Sequence, residues 1–145
     1  MMRMGFLLWF VFFIFIFSNR LNAQEIPPDD LLYENVMSET LVPFFTACKN
    51  GDVEAITEYI SDDMYEKNKV LLEQNKEYPE FLRNFYRDAI FQEEKIVKSE
   101  ETIFVNVIVT FPGGYQSVAE YRLNERESKA GNTVWKITDL VNNSY

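Results

Sequence analysis

The stretch IFVNVIVTFPGGYQSVAEYRL, residues 103–123, decides the fold. Ile103, Val105, Val107, Val109 and Phe111 alternate with a more polar set, the period-two signature of a strand with one buried face. Pro112-Gly113-Gly114 is a turn signal, and a second strand runs from Tyr115 to Leu123. Closing that hairpin sets Phe111 opposite Tyr115, Val109 opposite Ser117, Val107 opposite Ala119 and Val105 opposite Tyr121. The polar stretch from Asn124 to Asn132, with Gly131, leads to a last strand from Thr133 to Val141. Symmetric closure there predicts Tyr121 opposite Trp135, Ala119 opposite Ile137 and Ser117 opposite Asp139.

All these residues have odd numbers, so one sheet face is almost wholly apolar and is expected to meet the rest of the chain. Ser117 and Asp139 interrupt it. A carboxylate on an apolar face must reach water or find a hydrogen bond. If it lines a pocket, desolvation makes it a candidate general base; if it sits at the strand end, Ser117 simply satisfies it. The expected pocket set is Tyr115, Ser117, Tyr121, Trp135 and Asp139. The even face, with Phe104, Ile108, Val118 and Val134 among Asn106, Glu120, Arg122 and Lys136, is too apolar for a solvated face and too polar for a core. It suits an isologous dimer, with a solvated sheet carrying scattered aliphatics as the alternative.

Upstream, the period changes. Tyr33, Met37, Leu41, Phe44 and Cys48 recur at helical spacing, with Pro43 expected to kink or divide the helix. Asn50-Gly51 ends it, and Asp52 caps a short helix carrying Val53, Ile56 and Ile60. Ser61-Asp62-Asp63 begins another, over residues 63 to about 76. Pro79 opens a further one, with Tyr78, Leu82, Phe85 and Ala89 as its stripe. Residues 90–98 read as a charged strand. Helices first and an antiparallel meander second make an α+β domain, N-terminal helices packed on a curved antiparallel sheet.

Residues 6–17, FLLWFVFFIFIF, follow Arg3 and precede Leu21-Asn22-Ala23, the pattern of a signal peptide cleaved after Ala23. The run of 12 residues is shorter than the roughly 20 of a membrane span; an uncleaved anchor, favoured by Arg20, is the alternative. Residues 1–23 are thus the leader, 24–30 a linker stiffened by Pro27-Pro28, and 31–145 one domain. Beyond the leader, 12 basic residues face 23 acidic ones, a net of −11. That disfavours nucleic acid and anionic membrane surfaces and leaves a well-solvated acidic surface or a cationic partner. Asn142-Asn143-Ser144 matches the glycosylation triplet, and Glu93-Glu94 and Glu100-Glu101 lack calcium-loop spacing.

Cys48 is the sole cysteine, so no intramolecular disulfide forms. Its apolar helical neighbours mark a small core residue. Histidine is absent, which removes His-dependent nucleophile pairs, His metal sites and imidazole proton transfer. No cofactor or metal is called for by any motif.

FFTACKNGDVEAITEYISDDMYE, residues 44–66, together with VWKITDL, residues 134–140, resembles the nuclear transport factor 2-like superfamily, the group of ketosteroid isomerase and SnoaL-like proteins, and within it a secreted bacterial branch. The resemblance implies a cone-shaped α+β domain, a pocket at the open end of the cone and dimers formed through the sheets. Enzymes of that group use a carboxylate base with Tyr or Asp donors, or His, which this chain lacks. Three functions are therefore expected of it. The first is an exported non-catalytic domain binding a small hydrophobic ligand or a protein partner. The second is an isomerase or dehydratase with Asp139 as base and Tyr115 or Tyr121 as donor. The third is a homodimeric accessory subunit.

Overall fold

The computed structural model describes residues 29–142; the leader and most of the linker lie outside the described residues. Asp29 opens the first helix, its Oδ1 accepting from the backbone N–H groups of Leu31 and Leu32 at 2.8 and 3.4 Å. Helices α1 (Asp30–Asn35) and α2 (Val42–Asn50) are joined by a π-helical segment, Val36–Leu41. Backbone angles stay helical through Leu41 and Val42, so Pro43 does not divide the rod. The Val42 N–H instead bonds the Met37 carbonyl five residues back. This wider turn answers the clash a proline ring makes with the carbonyl four residues behind it. It also explains why Val36 and Leu41, five apart, are both fully buried.

Two bonds close α2: Gly51 N–H to Cys48 O at 3.2 Å and Asp52 N–H to Ala47 O at 2.9 Å. They form a Schellman motif around Gly51 at φ 64°. Asp52 then caps α3 (Val53–Tyr59) through Ala55 N–H at 3.0 Å. Ser61 Oγ caps α4 (Asp62–Lys69), accepting from Met64 N–H at 3.2 Å. A second π-helical segment, Val70–Gln74, precedes α5 (Tyr78–Tyr86), where Pro79 lies in the first turn as its sequence predicts.

Strands β1 (Ile90–Ser99), β2 (Thr102–Thr110), β3 (Gln116–Glu127) and β4 (Thr133–Asn142) form one antiparallel meander in the order β1-β2-β3-β4. Ile60 pairs in parallel with Ile137 and Ser61 N–H bonds the Ile137 carbonyl at 2.9 Å, so the α3–α4 corner covers part of the β4 edge. At the other edge, β1 carries a bulge at Glu94 and the charges Glu93, Glu94 and Lys98, devices that discourage further strand pairing. Among the described residues no helix is long and apolar enough to cross a membrane.

The core lies between the helices and one sheet face. Val36, Leu41, Ile103, Val105, Val107, Leu123 and Ile137 are fully buried, packed with Phe44, Phe45, Cys48, Ile56, Leu82 and Tyr121. Each buried aliphatic side chain contributes about 1.5–3 kcal/mol against the entropy of ordering the chain. Buried Thr40 joins the layers, its hydroxyl donating to the Trp135 carbonyl at 2.8 Å. The α+β layout implied by the sequence resemblance is the one observed, with helices before the antiparallel sheet.

Candidate functional site

The β2–β3 register is the one the turn predicts. Val105 pairs with Tyr121, Val107 with Ala119 and Val109 with Ser117. Tyr121 therefore points toward the helices, where it fills the core. It is 5% exposed, and its ring meets Phe44 and Phe45 edge-on at 6.0 and 5.5 Å. Burial, reinforced by neighbouring Cys48 and Tyr86, pushes its phenol far above the ordinary range. Burial likewise raises Cys48 to about 12, leaving an inert thiol.

The β3–β4 register differs from expectation. Leu123 pairs with Ile137, but Arg122 pairs with Asp139 and Tyr121 with Leu140, so Thr138 is an extra residue in a β-bulge. Because strand faces alternate residue by residue, that insertion exchanges the two faces beyond it. Asp139 thus lies on the outer face, opposite Arg122 rather than Ser117. Its Oδ2 accepts from Arg122 Nη1 at 3.3 Å, while Arg122 Nε reaches Glu120 Oε1 at 2.9 Å. The Asp139 side chain is 49% exposed and lies on the face opposite to Tyr121, so no acid–donor pair forms between them. Bulged Thr138 donates to Asn124 Oδ1 at 2.7 Å.

Trp135 pairs with Glu125 instead of Tyr121, and Tyr115 stands 65% exposed beside the β2–β3 turn. The five residues of the expected pocket therefore do not line one cavity. Phe104, Ile108 and Val118 are half-buried on the outer face, with the Arg122 guanidinium over the Phe104 ring at 5.7 Å. Val134 lines a cleft at the end of the sheet. The face exchange had a signal in the sequence: Ile137 and Leu140 are both apolar but three apart, and an unbroken strand cannot turn both inward.

Two surfaces emerge instead. The first is aromatic and occupies the α5 and β2–β3 turn end. Phe81 and Phe85, four apart on α5, stack at 5.4 Å and remain 55% and 45% exposed. Phe85 meets Phe111 at 4.8 Å, and Phe111 stacks on Tyr115 at 5.8 Å. Behind them Tyr86 contacts both Phe111 and Phe91, and Phe91 stacks on Phe45 at 4.3 Å. Rings thus run from the core to the surface without a break. Exposed Ile90 begins β1 opposite Thr110, at the same end of the sheet. Residues 102–119 carry no charge, in a chain that is 26% charged. The α5 stripe in the sequence contained Phe85 but not Phe81, because that row lies beside the buried one.

The second surface is a cleft of about 930 Å³ between the α3–α4 corner and the β3–β4 turn, with Trp135, Tyr59 and Ser61 among its lining residues. Among the described residues, no group of three or more His, Cys, Asp or Glu side chains is placed to hold a metal ion.

No family model and no curated protein matches the sequence. Among solved structures the chain is similar to a Campylobacter jejuni protein that carries the provisional description NTF2-like transpeptidase. The two are 15% identical over 70% of this chain and 97% of the other, with a TM-score of 0.48.

Proposed function

We propose that this chain is an exported, non-catalytic binding domain that takes a small hydrophobic ligand or an apolar protein segment on the aromatic surface of α5 and the β2–β3 turn. One observation carries the reading: Phe81, Phe85 and Tyr115 are about half exposed or more, yet stacked and supported from the core through Phe111, Tyr86 and Phe91. Contiguous aromatic surface supported from the core is what partner sites are made of. The placement of Asp139 on the opposite sheet face from Tyr121 favours binding over acid–base chemistry.

The wild-type chain is expected to bind the uncharged dye Nile red with saturation. The triple variant Phe81→Ser, Phe85→Ser, Tyr115→Ser should bind at least fivefold more weakly while keeping its circular dichroism. Undiminished dye binding by that folded variant sinks the proposal.

The half-buried Phe104, Ile108 and Val118 support a second reading, a homodimer through the outer sheet face. Sedimentation equilibrium should then give twice the chain mass, falling to one chain for Ile108→Lys. A monomeric wild type at high concentration removes that reading.

A further inference from the structure

We infer that the cleft between the α3–α4 corner and the β3–β4 turn is a second binding site, and that it takes a basic peptide segment. It lies at the far end of β3 from the aromatic surface, about 36 Å along the strand at the usual rise per residue, and does not depend on it. At about 930 Å³ this open cleft falls within the volume range of ligand-binding clefts.

Three features of the lining define the occupant. Trp135, half-buried and anchored through its carbonyl by Thr40, offers indole surface to an aliphatic stem and to a cation. Carboxylates come from four separate elements: Glu39 on the first π-helical segment, Glu58 on α3, Asp62 and Asp63 on α4, and Glu127 on β3. Among the described residues none of the five is in an ion pair. Three cations also line it, Lys129 on the turn, Lys136 donating to the Glu58 carbonyl and Arg126 to the Glu125 carbonyl at 2.9 Å, so five carboxylates face three positive charges. The cleft therefore holds an excess of negative charge in a chain of net charge −9, which attracts a cationic partner and speeds its approach.

The third feature separates a peptide from a simple cation. Ser61 is 5% exposed and lines the cleft; its Oγ accepts from Met64 N–H, and its own proton has no acceptor among the described residues. That hydroxyl, already paired as the α4 N-cap, can also donate into the cleft. A peptide carbonyl supplies the acceptor while a Lys or Arg side chain reaches the carboxylates and Trp135.

The test uses the full chain carrying Trp9→Phe, so that Trp135 is the remaining indole. Acetyl-Ala-Lys-Ala-Lys-Ala-amide is titrated against it at low salt, with tryptophan fluorescence as the readout. Spermidine, which has no carbonyl, and acetyl-Ala-Glu-Ala-Glu-Ala-amide serve as the comparisons. The lysine peptide is expected to saturate the signal and bind at least tenfold more tightly than spermidine. The glutamate peptide should give no response. Glu58→Gln with Glu127→Gln should weaken the lysine peptide at least fivefold, and the aromatic-surface triple variant should leave it unchanged. A flat titration, equal binding of spermidine, or unchanged affinity in the folded double variant overturns the inference.

Discussion

Replacing Gly51 with alanine is expected to lower the unfolding free energy by about 3–4 kcal/mol, from the left-handed backbone and the overpacking together. Gly51 sits at φ 64° where α2 passes α5, and a Cβ there would lie 2.2 Å from the Pro79 carbonyl oxygen and 2.8 Å from Arg83 Cγ. The Arg83 stem can move, but the Pro79 carbonyl is backbone and cannot yield without shifting α5. That shift would disturb Leu82, the buried residue of α5, and the aromatic surface that depends on the same helix. For a domain of this size the melting temperature should fall by roughly 10–15 °C. Gly113→Ala isolates the packing component, since Gly113 also has positive φ, 93°, but nothing within 4 Å of the added carbon. It should cost about 1–2 kcal/mol, the backbone component alone. Chemical denaturation of both variants decides the matter, and a Gly51→Ala variant as stable as Gly113→Ala would show that α2 and α5 do not approach so closely.

Alkaline solution should unfold the protein cooperatively between about pH 10 and 12, the interval set by its buried acids. Cys48 is pushed up to about 12 by burial. Tyr86 is also raised to about 12, by burial first and then by Cys48 and Tyr78; Tyr121 shifts further in the same direction. In each case the neutral, protonated form is the one that the core accepts. The stability they supply is therefore complete below the ordinary pKa values of 9.0 for the thiol and 10.0 for the phenols, and is lost as pH rises through and beyond them. At about 1.4 kcal/mol per pKa unit, Cys48 alone accounts for about 4 kcal/mol by pH 12. The three groups repel one another once ionised, so their effects are coupled. Absorbance at 295 nm should rise in two waves, the second coinciding with loss of the helical circular dichroism. Cys48→Ala should move that second wave to higher pH. A single wave centred near pH 10, with the circular dichroism unchanged, would contradict the burial of Tyr121 and Tyr86.

Local chemistry alone determined much of this protein. The apolar alternation of Ile103 to Phe111 and the Pro112-Gly113-Gly114 turn specified the β2–β3 register. Gly51, Asp52, Ser61 and Pro79 marked helix ends, because capping and left-handed turns depend on a few adjacent residues. The absence of histidine and the single cysteine bounded the chemistry without any coordinates. The leader reading also belongs to the sequence, and lies outside the described residues.

Tertiary structure decided what depends on more than one element. The Thr138 bulge moved Asp139 to the outer face because turning both Ile137 and Leu140 toward the core outweighs an unbroken ladder, and one extra residue reverses every side chain beyond it. The π-helical turn at Val36–Leu41 arose in the same way, from packing two apolar residues five apart ahead of a proline. The aromatic surface and the Trp135 cleft each join segments separated in the chain, so no local pattern could announce them. A strand's period says which side chains share a face, but only packing against the other layer decides where that period breaks.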